Sequence, residues 1–169
     1  MEKAIRVGVI TVSTRSAAGQ REDTSGPALC SLIDENLGQT VYYAVVSDDI
    51  QAIRDELVKV CDAIGADVVF TLGGTGLAPS DVTPEATGSV IEKRVPGIAE
   101  TIRAKSLEKT DRAMLSRGIS GVRKRTLIVN MPGSERAVRE SFAIVLPVLR
   151  HAVELLHEQV KDCGRPVEG

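Results

Sequence analysis

Asp67-Val-Val-Phe-Thr-Leu-Gly-Gly-Thr-Gly-Leu-Ala-Pro-Ser-Asp-Val-Thr-Pro-Glu-Ala86 is the stretch whose reading decides the fold. Val68 to Leu72 is an apolar run with the length of a fully buried strand. Gly73, Gly74 and Gly76 then surround Thr75, so the backbone there can take positive φ and approach a ligand closely. Beyond Pro79 come Asp81 and Thr83-Pro84-Glu85, read as an N-cap threonine followed by proline at the first helical position. A strand that runs through a glycine loop into a helix start can hold phosphate on backbone N–H groups. The Asp81 carboxylate beside such a loop would repel phosphate unless a cation sat between them. Asp81 therefore points to a bound cation.

Upstream of this block, Ile5 to Val12 is rich in Val and Ile and reads as a first buried strand, followed by a small, polar loop over residues 14–25. Pro27 opens a helix in which Leu29, Cys30, Leu32, Ile33 and Leu37 keep helical spacing, and Gly38 suits its cap. Thr40 to Val46 is a second strand. Asp48 or Asp49 caps the next helix, whose apolar residues Ile50, Ile53, Leu57, Val60, Cys61 and Ile64 repeat cleanly up to Gly65. Downstream, residues 84–109 read as helical with a break at Pro96-Gly97, and residues 110–121 as a short helix and a turn. Ile119–Val122 and Thr126–Asn130, joined by the basic turn Arg123-Lys124-Arg125, read as an antiparallel edge pair. After the turn Met131-Pro132-Gly133-Ser134 comes a long amphipathic helix, kinked or restarted at Pro147. Strands and helices alternate with short links, which predicts a parallel sheet with right-handed crossovers. The expected organisation is one domain over residues 1–162 and a flexible tail over 163–169.

Composition narrows the function classes. The chain has 169 residues, 43% of them apolar, enough for one domain with a substantial core. Aromatics are only 2%, with no Trp, so the stacking platforms of single-stranded nucleic-acid binders are lacking. A net charge of −2 gives no general reason to bind nucleic acid or an anionic membrane, and no run reaches membrane-spanning length. Cys30, Cys61 and Cys163 have no C-x-x-C spacing and read as thiols of a reducing compartment, so the expected location is the cytoplasm. His151 and His157 share no helix face, which argues against a metal or catalytic histidine site.

Open α/β sheets bind ligands beyond the carboxyl ends of their strands. Those ends carry Ser13 and Thr14, then Ser47, Asp48 and Asp49, then the glycine loop with Asp81, then Pro132, Gly133 and Ser134. Their convergence on one rim says more than any single motif. The loop lacks the Lys-Ser/Thr of a P-loop, and it lies after the third strand, where no dinucleotide fingerprint belongs. Asp48 and Asp81 can meet if the second and third strands both flank the first, or if the loops lean inward. Mg²⁺ is commonly held by one or two carboxylates together with substrate phosphates, and such a pair would suit it. For Asp49 a helix-capping role is preferred; position alone leaves Asp48 open between capping and metal binding.

Taken together, Asp23-Thr-Ser-Gly-Pro, Ser47-Asp48-Asp49, the block Thr71 to Ala86, Pro96-Gly97, Ser116-Arg117 and Asn130-Met-Pro-Gly-Ser resemble the MogA/MoaB family of molybdenum-cofactor biosynthesis over nearly the whole chain. The resemblance implies a Rossmann-like, three-layer α/β domain with a mostly parallel sheet, usually assembled as a homotrimer. It implies a molybdopterin adenylyltransferase that uses Mg²⁺ and ATP to adenylate the terminal phosphate of molybdopterin, releases pyrophosphate, and passes the product to a molybdate-insertion protein. It places the family's catalytic, Mg²⁺-holding aspartates on Asp48 and Asp81, and the nucleotide phosphates at Gly73, Gly74, Thr75 and Gly76. Pterin contacts fall on Ser13, Ser25, Pro132, Gly133, Ser134 and Arg117. The chain departs from the family pattern at Thr14, where an acidic residue is usual, and at Ser47 and Glu135, where proline is frequent. A pterin-binding MoaB-like protein without transferase activity is the rival reading, as is a competence/damage-inducible type of domain acting on other nucleotides.

Overall fold

The computed structural model describes residues 4–158. Cys163 and the tail 163–169 lie outside the described residues. The chain runs β1 (Ile5–Val12), α1 (Thr14–Ala17), α2 (Ser25–Asn36), β2 (Gly38–Val46), α3 (Ile50–Val58), a π-turn (Lys59–Ile64) and β3 (Val68–Leu72). It continues through α4 (Thr83–Val90), β4 (Lys93–Arg94), α5 (Pro96–Leu107), a 3₁₀ turn (Asp111–Leu115), β5 (Ser120–Arg123), β6 (Thr126–Met131) and α6 (Glu135–Leu156).

The six strands form one sheet in the order β2-β1-β3-β6-β5-β4. β2, β1, β3 and β6 are parallel, and β5 and β4 add an antiparallel edge. Period-2 alternation sorts the central strands into two cores. Val7, Val9, Val68, Phe70, Leu72, Leu127, Val129 and Met131 face α2, α5 and α6, which contribute Leu29, Ile33, Ile102, Phe142 and Leu149. Ile10, Val12, Val69 and Ile128 face the other way, onto Ile53, Leu57 and Val60 and onto Ala86 and Val90 of α4. A sheet covered on both faces must be apolar on both, which is why β3 and β6 are buried throughout. The only two phenylalanines, Phe70 and Phe142, meet edge to face with centroids 6.0 Å apart, worth about 0.5–1.5 kcal/mol beyond their burial.

The structure corrects several local expectations. The polar segment 14–25 is not all loop, because Ser13 caps the short α1 by accepting from the N–H of Ser16. α2 opens at Ser25, before Pro27, with Asp23 accepting from the N–H of Gly26 (3.1 Å). α6 runs unbroken through Pro147, held by a buried stripe that includes Val145, Leu149 and Val153 on either side of it. Thr83 is not an N-cap: it is the first residue of α4, and Val82 before it makes no side-chain cap. Among the described residues, no helix is long and apolar enough to cross a membrane.

Candidate functional site

β2 and β3 both flank β1, and the three end level, with Val46 opposite Val12 and Leu72 opposite Thr11. The condition for Asp48 and Asp81 to share a rim is met. Asp49 is the N-cap of α3, its Oδ2 accepting from the N–H of Ala52 (2.8 Å), which leaves Asp48 free of capping duty. Asp48 is held instead by Thr14. Its Oδ2 accepts from the Thr14 N–H and hydroxyl, both at 2.9 Å, while its own N–H donates to Thr14 Oγ1 (3.0 Å). Thr14 thus orients the carboxylate and leaves Oδ1 without a protein donor among the described residues.

The loop after β3 is built on glycine for two different reasons. Gly73 and Gly74 have φ of 97° and 69°, the left-handed region that glycine occupies without strain. Gly76 does not share that conformation; a Cβ there would lie 2.8 Å from Asp81 Oδ2. The same Oδ2 accepts from the N–H of Ala78 (3.0 Å), which fixes the Asp81 side chain against the loop. Thr83, freed from capping, closes the loop from below: its buried hydroxyl donates to Gly73 O (2.9 Å) and its N–H to Gly74 O (3.1 Å).

The Pro132-Gly133-Ser134 turn packs directly against this loop. Gly73 N–H donates to Met131 O (3.0 Å), and a Cβ on Gly133 would meet Gly73 Cα at 3.3 Å. Ser25 Oγ donates to Gly133 O (2.7 Å), and Ser134 Oγ caps α6 by accepting from the N–H of Ala137 (3.3 Å). Glu135 sits in the first turn of α6, where a carboxylate suits the helix dipole; Arg139 first, then Thr24, hold its pKa below the ordinary carboxylate range. Arg117 contacts the loop backbone. Its N–H donates to Thr75 O (2.8 Å), Nε to Gly76 O (2.8 Å) and Nη2 to Asp81 O (2.7 Å), while Nη1 pairs with Glu85.

Two cavities open on either side of the junction between the glycine loop and the turn. One, of about 490 Å³ and mostly apolar, is lined by Thr75, Gly76, Leu77, Ile102, Leu115 and Pro132 among others. The other, of about 350 Å³ and polar, includes Ser13, Arg21, Asp23, Ser25, Gly133 and Ser134. Near the polar one, the Tyr43 hydroxyl donates to Asp23, and burial, then that carboxylate, push the phenol pKa far up. Among the described residues no group of three or more His, Cys, Asp or Glu converges to hold a metal. The donor set is two half-buried carboxylates, each with one oxygen tied down and one turned to no protein donor. That fits a hard cation completed by ligand oxygens and water better than a closed protein cage.

The sequence reading missed Thr14 as the partner of Asp48. It also missed Asn130, whose buried amide donates to Thr71 Oγ1 (2.8 Å) and Thr87 Oγ1 (2.9 Å) and thereby ties β6 to β3 and α4 below the loop. The walls of the larger cavity come from α5, the 3₁₀ turn and α6, which no local motif marks. His157 lies away from this rim, its Nε2 2.8 Å from Oδ1 of Asp67 at the amino end of β3.

A doubly wound sheet with a glycine loop, two aspartates and two adjoining cavities on its carboxyl rim defines an α/β domain of the ligand-binding type. Residues 8–151 match the family described as "Probable molybdopterin binding domain". The chain belongs to that family. It is 39% identical over 156 residues to the molybdopterin adenylyltransferase of Helicobacter pylori strain 26695, covering 91% of this chain and 89% of that protein. It is 43% identical over 159 residues to the molybdenum cofactor synthesis protein cinnamon of Drosophila melanogaster, but spans only 26% of that protein's length. Among solved structures, the molybdopterin biosynthesis enzyme MoaB of Thermus thermophilus superposes with a TM-score of 0.85 at 43% identity, over 97% of this chain and 99% of that one.

Proposed function

We propose that this chain is a molybdopterin adenylyltransferase. In the reaction, an oxygen of the terminal phosphate of molybdopterin attacks the α-phosphorus of ATP. A new phosphorus–oxygen bond forms, the α–β bond breaks, and pyrophosphate leaves. The nucleophile is a phosphate already ionised at neutral pH, so no general base is required. Two polyanions must be brought together, so positioning and charge stabilisation carry the catalysis. The glycine loop would receive the nucleotide phosphates on backbone N–H groups. Asp48 and Asp81 would hold Mg²⁺ through their free oxygens, and the ion would supply neutralisation of the phosphate charge. Ser13, Ser25, Gly133 and Ser134, which line one cavity, would face the pterin, with Pro132 beside them on the wall of the other.

The observation that carries this reading is the pair of oriented carboxylates, each with a free oxygen, on the rim that also bears the glycine loop. Relatives that share most of the chain, such as the Helicobacter protein, carry the same activity in their names. The reading extends to assembly as a homotrimer in the cytoplasm and to delivery of adenylyl-molybdopterin to a molybdate-insertion protein. The test is pyrophosphate release in the presence of molybdopterin, ATP and Mg²⁺ together. Asp81→Asn should lose most of that release while its oligomeric state and melting temperature persist. Release by Asp81→Asn at the wild-type rate would sink the metal role, and tight pterin binding by the wild type without turnover would favour a binding module.

A further inference from the structure

We infer that Arg117 is a positioning residue that turns the peptide units of the glycine loop so that their N–H groups are offered to an anion, and that it is not itself a substrate ligand. The inference rests on the reading that the loop holds the nucleotide phosphates. In a trans peptide the C=O and the following N–H point in opposite directions. Residue 117 takes three loop carbonyls: Thr75 O on its backbone N–H, Gly76 O on Nε and Asp81 O on Nη2. The N–H groups of Gly76, Leu77 and Val82, which follow those carbonyls, are thereby turned away from Arg117. Those of Gly76 and Leu77 donate to no protein acceptor among the described residues. Gly76 and Leu77 line the larger cavity, and the residues lining that cavity do not include Arg117.

Charge supports the same assignment. The guanidinium pairs with Glu85 of α4, which neutralises the charge an incoming anion would seek. The pairing holds the Glu85 pKa below the ordinary carboxylate range. A planar fork that spans Gly76 O and Asp81 O also fixes the distance between the two ends of the loop, and so the place from which Asp81 extends. A lysine ammonium is a point charge on a flexible stem and cannot hold both carbonyls with that geometry.

The experiment combines kinetics with amide NMR on ¹⁵N-labelled protein, using pyrophosphate as the probe anion. In the wild type, the Gly76 and Leu77 amide resonances should shift on titration with pyrophosphate. In Arg117→Lys and Arg117→Gln these resonances should already be displaced without ligand and should lose that response, while core sheet amides stay in place. Turnover should fall about a hundredfold, the scale for lost oxyanion donors. The lysine variant should recover no more than about threefold over the glutamine variant, since charge alone does not restore the fork. A lysine variant with near wild-type turnover and unmoved loop amides would overturn the inference and make Arg117 a charge-bearing ligand. Should both variants fail to fold, Glu85→Gln is the milder probe: it should move the same amides by less, and unmoved amides there would also refute the inference. Absence of turnover in the wild type would refute the adenylyltransferase reading alone, because ligand-free amide shifts report loop geometry without activity.

Discussion

Gly76→Ala should separate activity from stability at the glycine loop. Gly76 lacks the positive φ of Gly73 and Gly74, so alanine meets no backbone penalty there. Its Cβ would instead lie 2.8 Å from Asp81 Oδ2, and ordinary contact needs roughly half an ångström more. The yielding group is the end of the Asp81 side chain, which would swing off the Ala78 N–H it now accepts at 3.0 Å. Losing that hydrogen bond costs about 0.5–1.5 kcal/mol, and removing glycine from the unfolded chain returns about 0.4–1 kcal/mol. Stability should therefore change by less than about 1 kcal/mol, while a displaced carboxylate at a positioning-dependent site lowers turnover by about a hundredfold. Gly74→Ala should show the opposite balance. There φ is 69° and the added Cβ runs into Thr83 Oγ1, so about 1–2 kcal/mol of backbone strain adds to a disrupted Thr83 contact. Urea denaturation and pyrophosphate release, measured on both variants, check the pair. Gly76→Ala with turnover within about threefold of the wild type would show that the Asp81 carboxylate does not need its present position.

Thr14→Val removes the hydroxyl that both donates to and accepts from Asp48, leaving only the Thr14 N–H as support. Turnover should fall about tenfold with little loss of melting temperature, and Thr14→Ser should restore it; an active valine variant would mean Asp48 needs no such support. At the far end of the molecule, Arg123, then Lys124, hold the Asp62 carboxyl below its ordinary 3.8. A lowered acid contributes stability that is present above 3.8 and is lost as pH falls through the lowered value. Wild type should thus exceed Asp62→Asn in unfolding free energy from urea denaturation at pH 7, by less than about 1 kcal/mol given the solvent around the pair, and the difference should be lost at acid pH well below 3.8. A gap that persisted at that pH would assign it to something other than this ionisation.

The central strands were legible because burial on both faces demands apolar runs, and Val68 to Leu72 could be nothing else. The rim was legible because strand ends announce themselves by a change from Val and Ile to Ser, Asp and Gly. The antiparallel edge followed from a basic turn too short for a crossover, although the two-residue β4 that extends it leaves no pattern of its own. Thr83 was misread because Thr-Pro-Glu is a good local cap signal, and the tertiary demand of the Gly73 carbonyl for a donor overrode it. The role of Thr14 leaves no local signal, because its hydrogen bond to Asp48 spans 34 positions. The larger cavity was invisible for the same reason: beyond the glycine loop and Pro132, its walls come from α5, the 3₁₀ turn and α6, which are distant from that loop in the chain.

The close approach of Gly73 to Gly133 bears on how the two cavities can communicate. Pro132 faces one cavity and Gly133 the other, so at this point the partition is a single thickness of main chain. Its width is set by covalent geometry, and no exchange of side chains can make it thinner. Most active sites adjust the reach between two bound groups by lengthening or shortening the residues between them. Here that adjustment is closed off: a side chain on Gly133 would press on the Gly73 main chain, with its Cβ 3.3 Å from Gly73 Cα, and one on Gly73 would strike the Val12 carbonyl at 2.7 Å.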